Sequence, residues 1–573
     1  MTRSEFKLED HPLDEYPQIE VIVIGAGISG ITAGILLPRK VPNIKLEIFE
    51  KNADVGGVWE VNKYLGVRCD VPAHAYQYSF ESNPGWTEYY AKGEEISQYW
   101  KRAAEKYDAY KYITFNTKVI RSEFNENQGK WNVTLQDINT GNIYERQAHI
   151  LILATGYFDS WKLPDYPGLG EYEGHLRHTS NWDPSFDPKD KSVAVIGNGA
   201  SGIQVLPQLQ RLASHVDHYV RNPTWIGSQF GGENIPENLV FSPDQIALFK
   251  SDPVAYYKYR KTLENSHSQQ FAAVIKGSKA NETAKEKYTE LMKARLGKAS
   301  EEILPKILPS FSPGCRRLTP GPGYLEALGQ DNVTVISTGI ERFTKKGIKT
   351  IDGTEREVDA IICATGADTS FAPQFPIVAG EVDLSKDWRA GGNPGFPDTY
   401  LGIAVPKVPN FLFIHSNSTG YGGTLIRTVE TQITYAAQFI RKVSQQGIKS
   451  IVPSQEATDD FREYSDAFFK QTVLLDGCSS WYNGGIPGGR IHGLWPGSNS
   501  QSAYLRLNPR WEDFEYKYHN QSGNRFGFLG NGWTTLDKGD ESDLTPYLHV
   551  QGTVDLATIH EHWNSIFPGN VVK

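Results

Sequence analysis

Two glycine-rich loops constrain the fold of this chain more than any other feature of its sequence. Residues 25–30 and residues 197–202 both read G-x-G-x-x-G, and each loop lies between an apolar run typical of a buried strand and a segment typical of a helix. In such a βαβ unit the glycines allow a tight turn and let backbone N–H groups approach a pyrophosphate at a helix N-terminus. The two loops therefore predict an α/β fold with two Rossmann-like, dinucleotide-binding domains.

The residue that ends the second strand of each unit differs between the two loops. Glu50 follows the first loop, and its carboxylate would accept hydrogen bonds from a ribose diol. Arg221 follows the second loop, where a cation suits a ribose 2′-phosphate. The alternative is a solvated surface arginine, because Asp217 lies on the same predicted strand. This difference predicts FAD at the first loop and NADP(H) at the second. FAD would be bound by Gly25, Gly27 and Gly30, and NADP(H) by Gly197, Gly199, Ser201 and Gly202.

The length of the chain predicts more than one domain, because 573 residues are too many for a single hydrophobic core. Two A-T-G elements, at residues 154–156 and 364–366, end apolar strands where we expect the chain to pass between domains. A stretch rich in Lys, Glu and Ala has a helical pattern between them. We predict an FAD-binding domain at residues 1–157 and 369–573. We predict an NADP-binding domain at residues 158–228 and 313–368. Residues 229–312 should form a helical insertion in the NADP-binding domain.

The segment between the two loops carries the most specific motif. It resembles the fingerprint of the flavin-dependent Baeyer–Villiger monooxygenases, the class B flavoprotein monooxygenases, which reads F-x-G-x-x-x-H-x-x-x-W followed by P or D. Gly174, His178, Trp182 and Asp183 match this motif in identity and spacing. Tyr172 stands at the position where the motif has Phe. We interpret His178 and Trp182 as a hinge and packing element between the domains, with His178 buried and hydrogen-bonded to the backbone.

A second stretch, residues 57–70, resembles another motif of the same family. Leu65 replaces the proline that is usual there. The positions that match the family are Gly57, Trp59, Tyr64, Gly66 and Asp70. The resemblance implies that Gly57, Trp59 and Asp70 lie against the cofactor.

Two adjacent arginines resemble the basic pair of the family, which precedes a Tyr-x-Glu element, here Tyr324 and Glu326. The resemblance implies that Arg317 is the catalytic arginine, that Asp70 orients it, and that Arg316 lies near the NADP phosphate. The alternative is a surface pair of arginines.

Residues 480–490 resemble the mobile active-site loop of the family, which reads S-W-x-x-G-A-N-I-P-G-K. The loop of this chain is one residue shorter and lacks the final lysine. The resemblance makes Trp481 a candidate contact for the cofactor or the substrate.

Together these motifs imply an NADPH- and oxygen-dependent flavoprotein monooxygenase that inserts one oxygen atom next to a ketone carbonyl, through a flavin peroxide, to give an ester or lactone. Negative charge develops on oxygen in that reaction, and a fixed guanidinium, that of Arg317, would stabilise it. The alternative is an N- or S-oxygenating flavin monooxygenase of the same fold, which does not need such an arginine. A dithiol reductase is disfavoured because no two cysteines are close in sequence, whereas an oxidase that releases hydrogen peroxide stays open.

Composition and charge exclude other classes of protein. The net charge of −9 argues against nucleic acid and anionic membranes as partners, and the absence of a long apolar run argues against a membrane span. An N-terminus without an apolar core lacks the features of a signal peptide, which predicts a cytoplasmic protein. The four scattered cysteines, Cys69, Cys315, Cys363 and Cys478, are expected to be reduced thiols. No metal is expected, since His560 and His562 have no third ligand.

Overall fold

The computed structural model describes residues 5–227, 235, 239–414, 419–520, 522–537, 543–545, 547–548, 550–553, 555–557 and 559. His560 and His562 lie outside the described residues. Residues 228–234, where the insertion is predicted to begin, also lie outside them.

Strands occur along most of the described chain, and most are short. They are β1 (Ile19–Ile24), β2 (Ile44–Phe49), β3 (Ile113–Thr114), β4 (Thr117–Asn125), β5 (Lys130–Asp137), β6 (Ile143–Ala148), β7 (Ile150–Leu153), β8 (His175–His178), β9 (Ser192–Ile196), β10 (His215–Tyr219), β11 (Val333–Ile336), β12 (Ile340–Phe343), β13 (Gly347–Thr350), β14 (Glu355–Glu357), β15 (Ala360–Cys363), β16 (Ile377–Ala379), β17 (Val382–Asp383), β18 (Phe411–Phe413), β19 (Ile448–Pro453) and β20 (Phe514–Tyr518).

The α-helices range from one turn to almost six turns. They are α1 (Ile28–Lys40), α2 (Val58–Val61), α3 (Gly93–Lys106), α4 (Ala200–Leu212), α5 (Pro243–Ser251), α6 (Pro253–Ser268), α7 (Lys279–Leu296), α8 (Ser300–Ile307), α9 (Tyr324–Leu328), α10 (Leu384–Asp387), α11 (Leu425–Gln445), α12 (Gln455–Lys470) and α13 (Asn499–Leu507).

The first dinucleotide loop lies at the carboxyl end of the central strand of a parallel sheet. The strand order is β18-β7-β1-β2-β3, so β1 lies between β7 and β2. The four residues of β7 are all apolar and buried, as expected for a parallel strand covered on both faces. Helix α1 leaves the loop and packs against the long helix α11, which covers one face of the sheet.

The second loop lies at the same place in a second parallel sheet, of order β11-β10-β9-β15-β8. Strand β15 carries the second A-T-G element at its end and pairs with both β9 and β8. The sequence thus predicted the fold class correctly: this is an α/β protein with two Rossmann-type domains. The mixed sheet β17-β16-β4-β5-β6, which is antiparallel except for the parallel β16–β4 pair, lies outside that prediction.

Helices α5 to α8 occupy the chain between β10 and β11, where the sequence predicted a helical stretch. One end of this helical segment packs on the first part of the chain through a buried aromatic cluster. Tyr89 and Tyr90 meet Phe241, Phe249 and Tyr256 there. None of the described helices is long and apolar enough to cross a bilayer.

Helix α1 contains a proline, Pro38, near its C-terminus. The helix continues for two residues to Lys40, with Pro38 in its last turn. A proline there removes a single N–H donor, and the rest of the helix is held by burial of eight of its first nine residues together with Leu37. Packing therefore outweighs the local preference for a helix end.

Candidate active site

Arg317 and Asp70 form an ion pair with two parallel hydrogen bonds. The Nε–H group of Arg317 donates to Oδ2 of Asp70 at 2.6 Å, and its Nη2 donates to Oδ1 at 2.8 Å. The Asp70 side chain is 21% exposed and that of Arg317 is 41% exposed, so the Arg317 side chain stays partly accessible to a ligand. The two residues come from the segment after the first loop and from the segment after the helical stretch, 247 residues apart.

Both members of this pair are charged across the neutral pH range. Burial by itself raises the pKa of Asp70, but the Arg317 guanidinium opposes it and leaves that pKa below the ordinary value of 3.8. Burial by itself lowers the pKa of Arg317. The Asp70 carboxylate raises it by more, so the pKa of Arg317 lies above its ordinary value. The pair therefore holds a permanent, oriented and partly accessible cation.

The first loop has the shape of a pyrophosphate cradle. Gly25 has a φ of +103°, and a Cβ at this position would lie 2.8 Å from the carbonyl oxygen of Ala154. A Cβ at Gly30 would overlap the carbonyl of Gly25, while Gly27 faces only the backbone of Gly57, at 3.6 Å. Glycine is thus required for close packing on one side of the loop and leaves room on the other.

Glu50 directly follows β2 beside this loop, and its carboxylate is buried. Oε2 accepts the backbone N–H of Ala26 at 2.7 Å, and Oε1 accepts the backbone N–H of Asn52 at 2.8 Å. Burial raises the pKa of Glu50 above its ordinary value, and these hydrogen bonds work against the rise. These contacts hold the acid at the loop, in a position that fits the first cofactor's ribose.

The second predicted motif connects the two sheets. The Tyr64 hydroxyl donates to Oε1 of Gln204 at 2.7 Å, and the Gln204 amide donates to the carbonyl of Arg68 at 2.9 Å. A Cβ at Gly66 would overlap the carbonyl of Gln204, so the contact is tight. Trp59 points elsewhere and donates from Nε1 to the Tyr76 hydroxyl at 3.1 Å.

The second loop opens toward empty space at the start of α4. A Cβ at Gly199 would meet nothing within 4 Å, whereas one at Gly202 would overlap the carbonyl of Gly197. Ser201 lies in the first turn of α4 and hydrogen-bonds Tyr64. The free volume at Gly199 and the helix N-terminus behind it suit a second pyrophosphate.

Arg221 and Arg316 are neighbours in the structure. Burial lowers the pKa of Arg316, and the Arg221 guanidinium lowers it further. Among the described residues, no carboxylate forms a salt bridge with either arginine. Asp217, the residue that complicated the sequence interpretation, instead pairs with His215 at 3.3 Å. Two neighbouring guanidinium groups without an acidic partner fit the 2′-phosphate of NADP(H).

The fingerprint residues lie at the edge of the second sheet. The Tyr172 hydroxyl donates to the carbonyl of Val358 at 2.8 Å, a bond that phenylalanine at this position would lack. A Cβ at Gly174 would overlap that same tyrosine ring and would lie 2.9 Å from the carbonyl of Asp359. The motif glycine therefore exists to let the motif aromatic residue pack over it.

His178 ends β8 beside Cys363, the last residue of β15, and so lies next to the second A-T-G element. Its Nδ1 accepts the backbone N–H of Ser180 at 3.1 Å, and its ring stacks on Trp161 at 5.2 Å. The carboxylate of Asp183 accepts the backbone N–H of Ser185 at 2.9 Å, while Trp182 is partly buried. These residues are packed at a crossing between domains and are not brought to the Arg317–Asp70 pair.

The predicted active-site loop at residues 480–490 lies close to Arg317, because the Cys315–Cys478 disulfide joins the segments that precede each of them. Trp481 stacks on Tyr157 at 5.0 Å with an interplanar angle of 24°. Tyr157 directly follows the first A-T-G element, so the predicted mobile loop touches the point where the chain leaves the first sheet. The contact of Trp481 with the cofactor or the substrate stays a prediction.

The cysteine prediction was wrong for two of the four residues. Cys315 and Cys478 form a disulfide, with a Cα–Cα distance of 6.2 Å and a sequence separation of 163 residues. Cys69 and Cys363 are free and buried, as predicted. Scattered positions in sequence do not imply scattered positions in space, because two distant loops meet at this pocket.

Three residues that contact or face the Arg317–Asp70 pair were missed by the sequence reasoning. Tyr157 is half-buried and Tyr482 is buried, and both phenols lie within electrostatic range of the guanidinium. His267, at the end of α6, has its pKa lowered to about 4 by burial and by Arg317. The adjacency of Tyr157 to the A-T-G element and of Tyr482 to Trp481 was the available signal, but nothing local marked His267.

In the described part of the chain no three His, Cys, Asp or Glu side chains are grouped to hold a metal ion.

Sequence comparison relates the chain to known oxygenating flavoproteins. Residues 18–287 match the family described as flavin-binding monooxygenase-like. The FAD-binding monooxygenase moxY of Dothistroma septosporum is 35% identical over 545 residues, which cover 93% of this chain and 85% of that protein. A Baeyer-Villiger monooxygenase of Pseudomonas aeruginosa is 32% identical over 492 residues, which cover 83% of this chain and 88% of that protein.

Solved structures agree with this relation at the level of the fold. The closed crystal structure of cyclohexanone monooxygenase aligns with a TM-score of 0.74 at 23% identity and covers 88% of this chain and 100% of that chain. Oxidized steroid monooxygenase bound to NADP aligns with a TM-score of 0.72 at 25% identity and covers 87% and 99%. The chain belongs to the flavin-binding monooxygenases, in the family that includes the Baeyer–Villiger monooxygenases.

Proposed function

We propose that this flavoprotein monooxygenase converts a ketone into an ester or lactone by inserting one atom of molecular oxygen next to the carbonyl. The bidentate Arg317–Asp70 pair carries the proposal, because it holds a permanent cation whose side chain is partly accessible. A nucleophilic attack on a carbonyl builds negative charge on oxygen, and a preorganised cation stabilises that charge. The N- or S-oxygenating alternative uses an electrophilic oxygen, for which a fixed guanidinium brings no gain.

FAD and NADPH are the cofactors of this family member, and the two loops fit them. In our proposal the cradle at residues 25–30 and Glu50 hold FAD, with Gly57 and Trp59 against it. The loop at residues 197–202 holds NADPH, and Arg221 and Arg316 bind its 2′-phosphate. When bound and reduced, FAD supplies the electrons that activate molecular oxygen.

The residues of the chain then have separate roles. Arg317 neutralises charge at the reacting oxygen and Asp70 fixes its orientation through two charge-assisted hydrogen bonds. The fingerprint residues keep the two domains in register, and Trp481 covers the pocket. The neutral rings of Tyr157 and Tyr482 exclude water around the cation, which strengthens its field.

The domain boundaries are part of the same proposal. Residues 1–157 with 369–573 would bind FAD, residues 158–228 with 313–368 would bind NADPH, and residues 229–312 would form the insertion. Limited proteolysis tests the boundaries, because linkers between domains are cut before domain interiors. The cytoplasmic location stays a prediction, for cell fractionation to test.

A substrate screen tests the proposed reaction. Purified protein with FAD, NADPH and oxygen is offered linear, cyclic and polycyclic ketones, and also amines and sulfides. The proposal predicts an ester or lactone about 16 mass units heavier than the ketone, which mass spectrometry detects. The amount of NADPH consumed should equal the amount of this product. Oxides of amines or sulfides, formed without any ester, would contradict it and favour the alternative.

A further inference from the structure

The segment around Tyr482 is fixed to the chain that carries Arg317. The Cys315–Cys478 disulfide joins the residue two positions before Arg317 to the residue four positions before Tyr482. No part of this connection is local in sequence, since 163 residues separate the two cysteines. The covalent link brings a phenol to the cation and keeps it there.

The backbone of Tyr482 is held on both sides. Its N–H donates to Oγ of Ser480 at 3.2 Å, and its carbonyl accepts the N–H of His492 at 2.9 Å. Asn483 completes the turn, because its side chain accepts the N–H of Ser480 at 3.0 Å and donates to the carbonyl of Cys478 at 2.9 Å. This short helical turn leaves the Tyr482 side chain little freedom.

The Tyr482 side chain is 2% exposed and packs in an apolar cluster with Val274, Leu474 and Ile491. The Arg317 guanidinium lies close enough to its hydroxyl to interact with it electrostatically. Burial raises the pKa of Tyr482 to about 12, so the hydroxyl stays neutral and does not compete with Asp70 as a counter-ion. A guanidinium has five N–H groups, of which Asp70 takes two, so a second acceptor has donors to use.

We propose that Tyr482 is a positioning residue for Arg317, held in place by the Cys315–Cys478 disulfide. This inference rests on the proposed function, in which Arg317 acts on the reacting oxygen. Asp70 supplies the charge that pairs with Arg317, and Tyr482 restricts the direction in which the guanidinium points. A long, flexible side chain held at one end only would lose this precision.

The first variant is Tyr482→Phe, which removes the hydroxyl and keeps the ring in its cluster. We expect kcat for the ketone to fall about tenfold, with KM changed less than about twofold and more hydrogen peroxide released per NADPH. The affinity for NADP⁺ and the thermal midpoint should stay near the wild-type values. Tyr435→Phe is the matched control, because Tyr435 is equally buried but packs against Trp511.

A double-mutant cycle separates positioning from packing. If Tyr482 acts through Arg317, the tenfold effect should shrink to less than about twofold in an Arg317→Lys background. The same loss in both backgrounds would overturn the proposal, as would a Tyr482→Phe enzyme with wild-type kcat and coupling. Should Tyr482→Phe fail to fold, the Cys315→Ala/Cys478→Ala protein gives the test, with the same predicted loss of kcat and coupling.

A thiol titration of the denatured protein supplies a readout that does not depend on turnover. Two free thiols before reduction and four after it are expected, whereas four before reduction would remove the disulfide from the proposal. If the wild-type protein forms no ester, the proposed function fails, and the cycle is repeated on NADPH-dependent release of hydrogen peroxide. If the effects of the substitutions at positions 482 and 317 on this rate are not additive, the positioning role stands. If the two effects are additive, the positioning role is rejected.

Discussion

The carboxylate of Asp70 meets the guanidinium of Arg317 edge to edge, at 2.6 and 2.8 Å, across 247 residues of sequence. This planar, two-point contact fixes a cation more precisely than a single contact does. In the proposed reaction this oriented cation is what stabilises the charge that develops on oxygen.

Removing the cation should slow oxygen insertion more than it harms the fold. We predict that Arg317→Ala lowers kcat for the ketone about 100- to 1000-fold, as for other preorganised stabilisers of developing charge. Asp70→Asn should cost less, because the cation remains and only its orientation loosens. Steady-state kinetics and FAD content measure both effects, and a loss of bound FAD equal to the loss of kcat would contradict the assignment.

Arg221 and Arg316 should govern the choice between NADPH and NADH. A charge-assisted hydrogen bond contributes about 1.5–3 kcal/mol, so Arg221→Ala should raise KM for NADPH about 10- to 100-fold and leave KM for NADH nearly unchanged. Arg211→Ala is the control, because Arg211 lies exposed in the last turn of α4. An equal effect on both coenzymes would show that Arg221 does not bind the 2′-phosphate.

The fingerprint glycine should be replaceable only at a cost in stability. Gly174→Ala places a methyl group into the ring of Tyr172, so we expect a loss of about 1–3 kcal/mol in the free energy of unfolding. Tyr172→Phe should cost about 1 kcal/mol, because it removes the hydrogen bond to Val358. Urea unfolding measures both.

Gly170→Ala is the matched control for that experiment. A Cβ at Gly170 meets nothing within 4 Å, so the change should stay within about 0.5 kcal/mol of the wild type. If Gly174→Ala proved equally harmless, the tight packing of Tyr172 over the glycine would not explain the motif.

Buried histidines should make the protein less stable in mild acid. The pKa of His218 is lowered from 6.5 to about 4 by burial, so the unfolded chain binds a proton before the folded chain does. The stability is complete above pH 6.5 and is lost as the pH falls toward 4. The loss is about 2 kcal/mol at pH 5 for one such histidine, and His74, His149, His267 and His492 are shifted in the same direction.

Thermal unfolding between pH 7.5 and 5 measures this effect. His218→Gln should make the decline in the unfolding midpoint less steep. A midpoint that does not fall between these pH values would contradict the predicted role of the histidines.

The sequence was sufficient for the two parallel sheets because their signals are local. An apolar run, a glycine loop and a helix follow each other within one βαβ unit, and β1 spans the residues that the pattern indicated. The antiparallel sheet at residues 117–148 has a weaker alternating pattern, and its strands were not predicted.

The site was predictable only as far as family motifs reach. Motif positions named Arg317 and Asp70, and the structure places them in contact, while their catalytic role stays a prediction. The disulfide and Tyr482 depend on two loops that meet only in the folded chain, and no pattern within either loop shows the partner. A prediction of reduced thiols from spacing failed for that reason.

The most direct measurement is the fate of labelled molecular oxygen in a ketone reaction run with the wild-type protein and with Arg317→Ala. The account predicts one labelled atom in each molecule of ester or lactone from the wild type. It predicts that Arg317→Ala, still holding FAD and oxidising NADPH, releases the label mainly as hydrogen peroxide. Labelled ester formed by Arg317→Ala at the wild-type rate would contradict it.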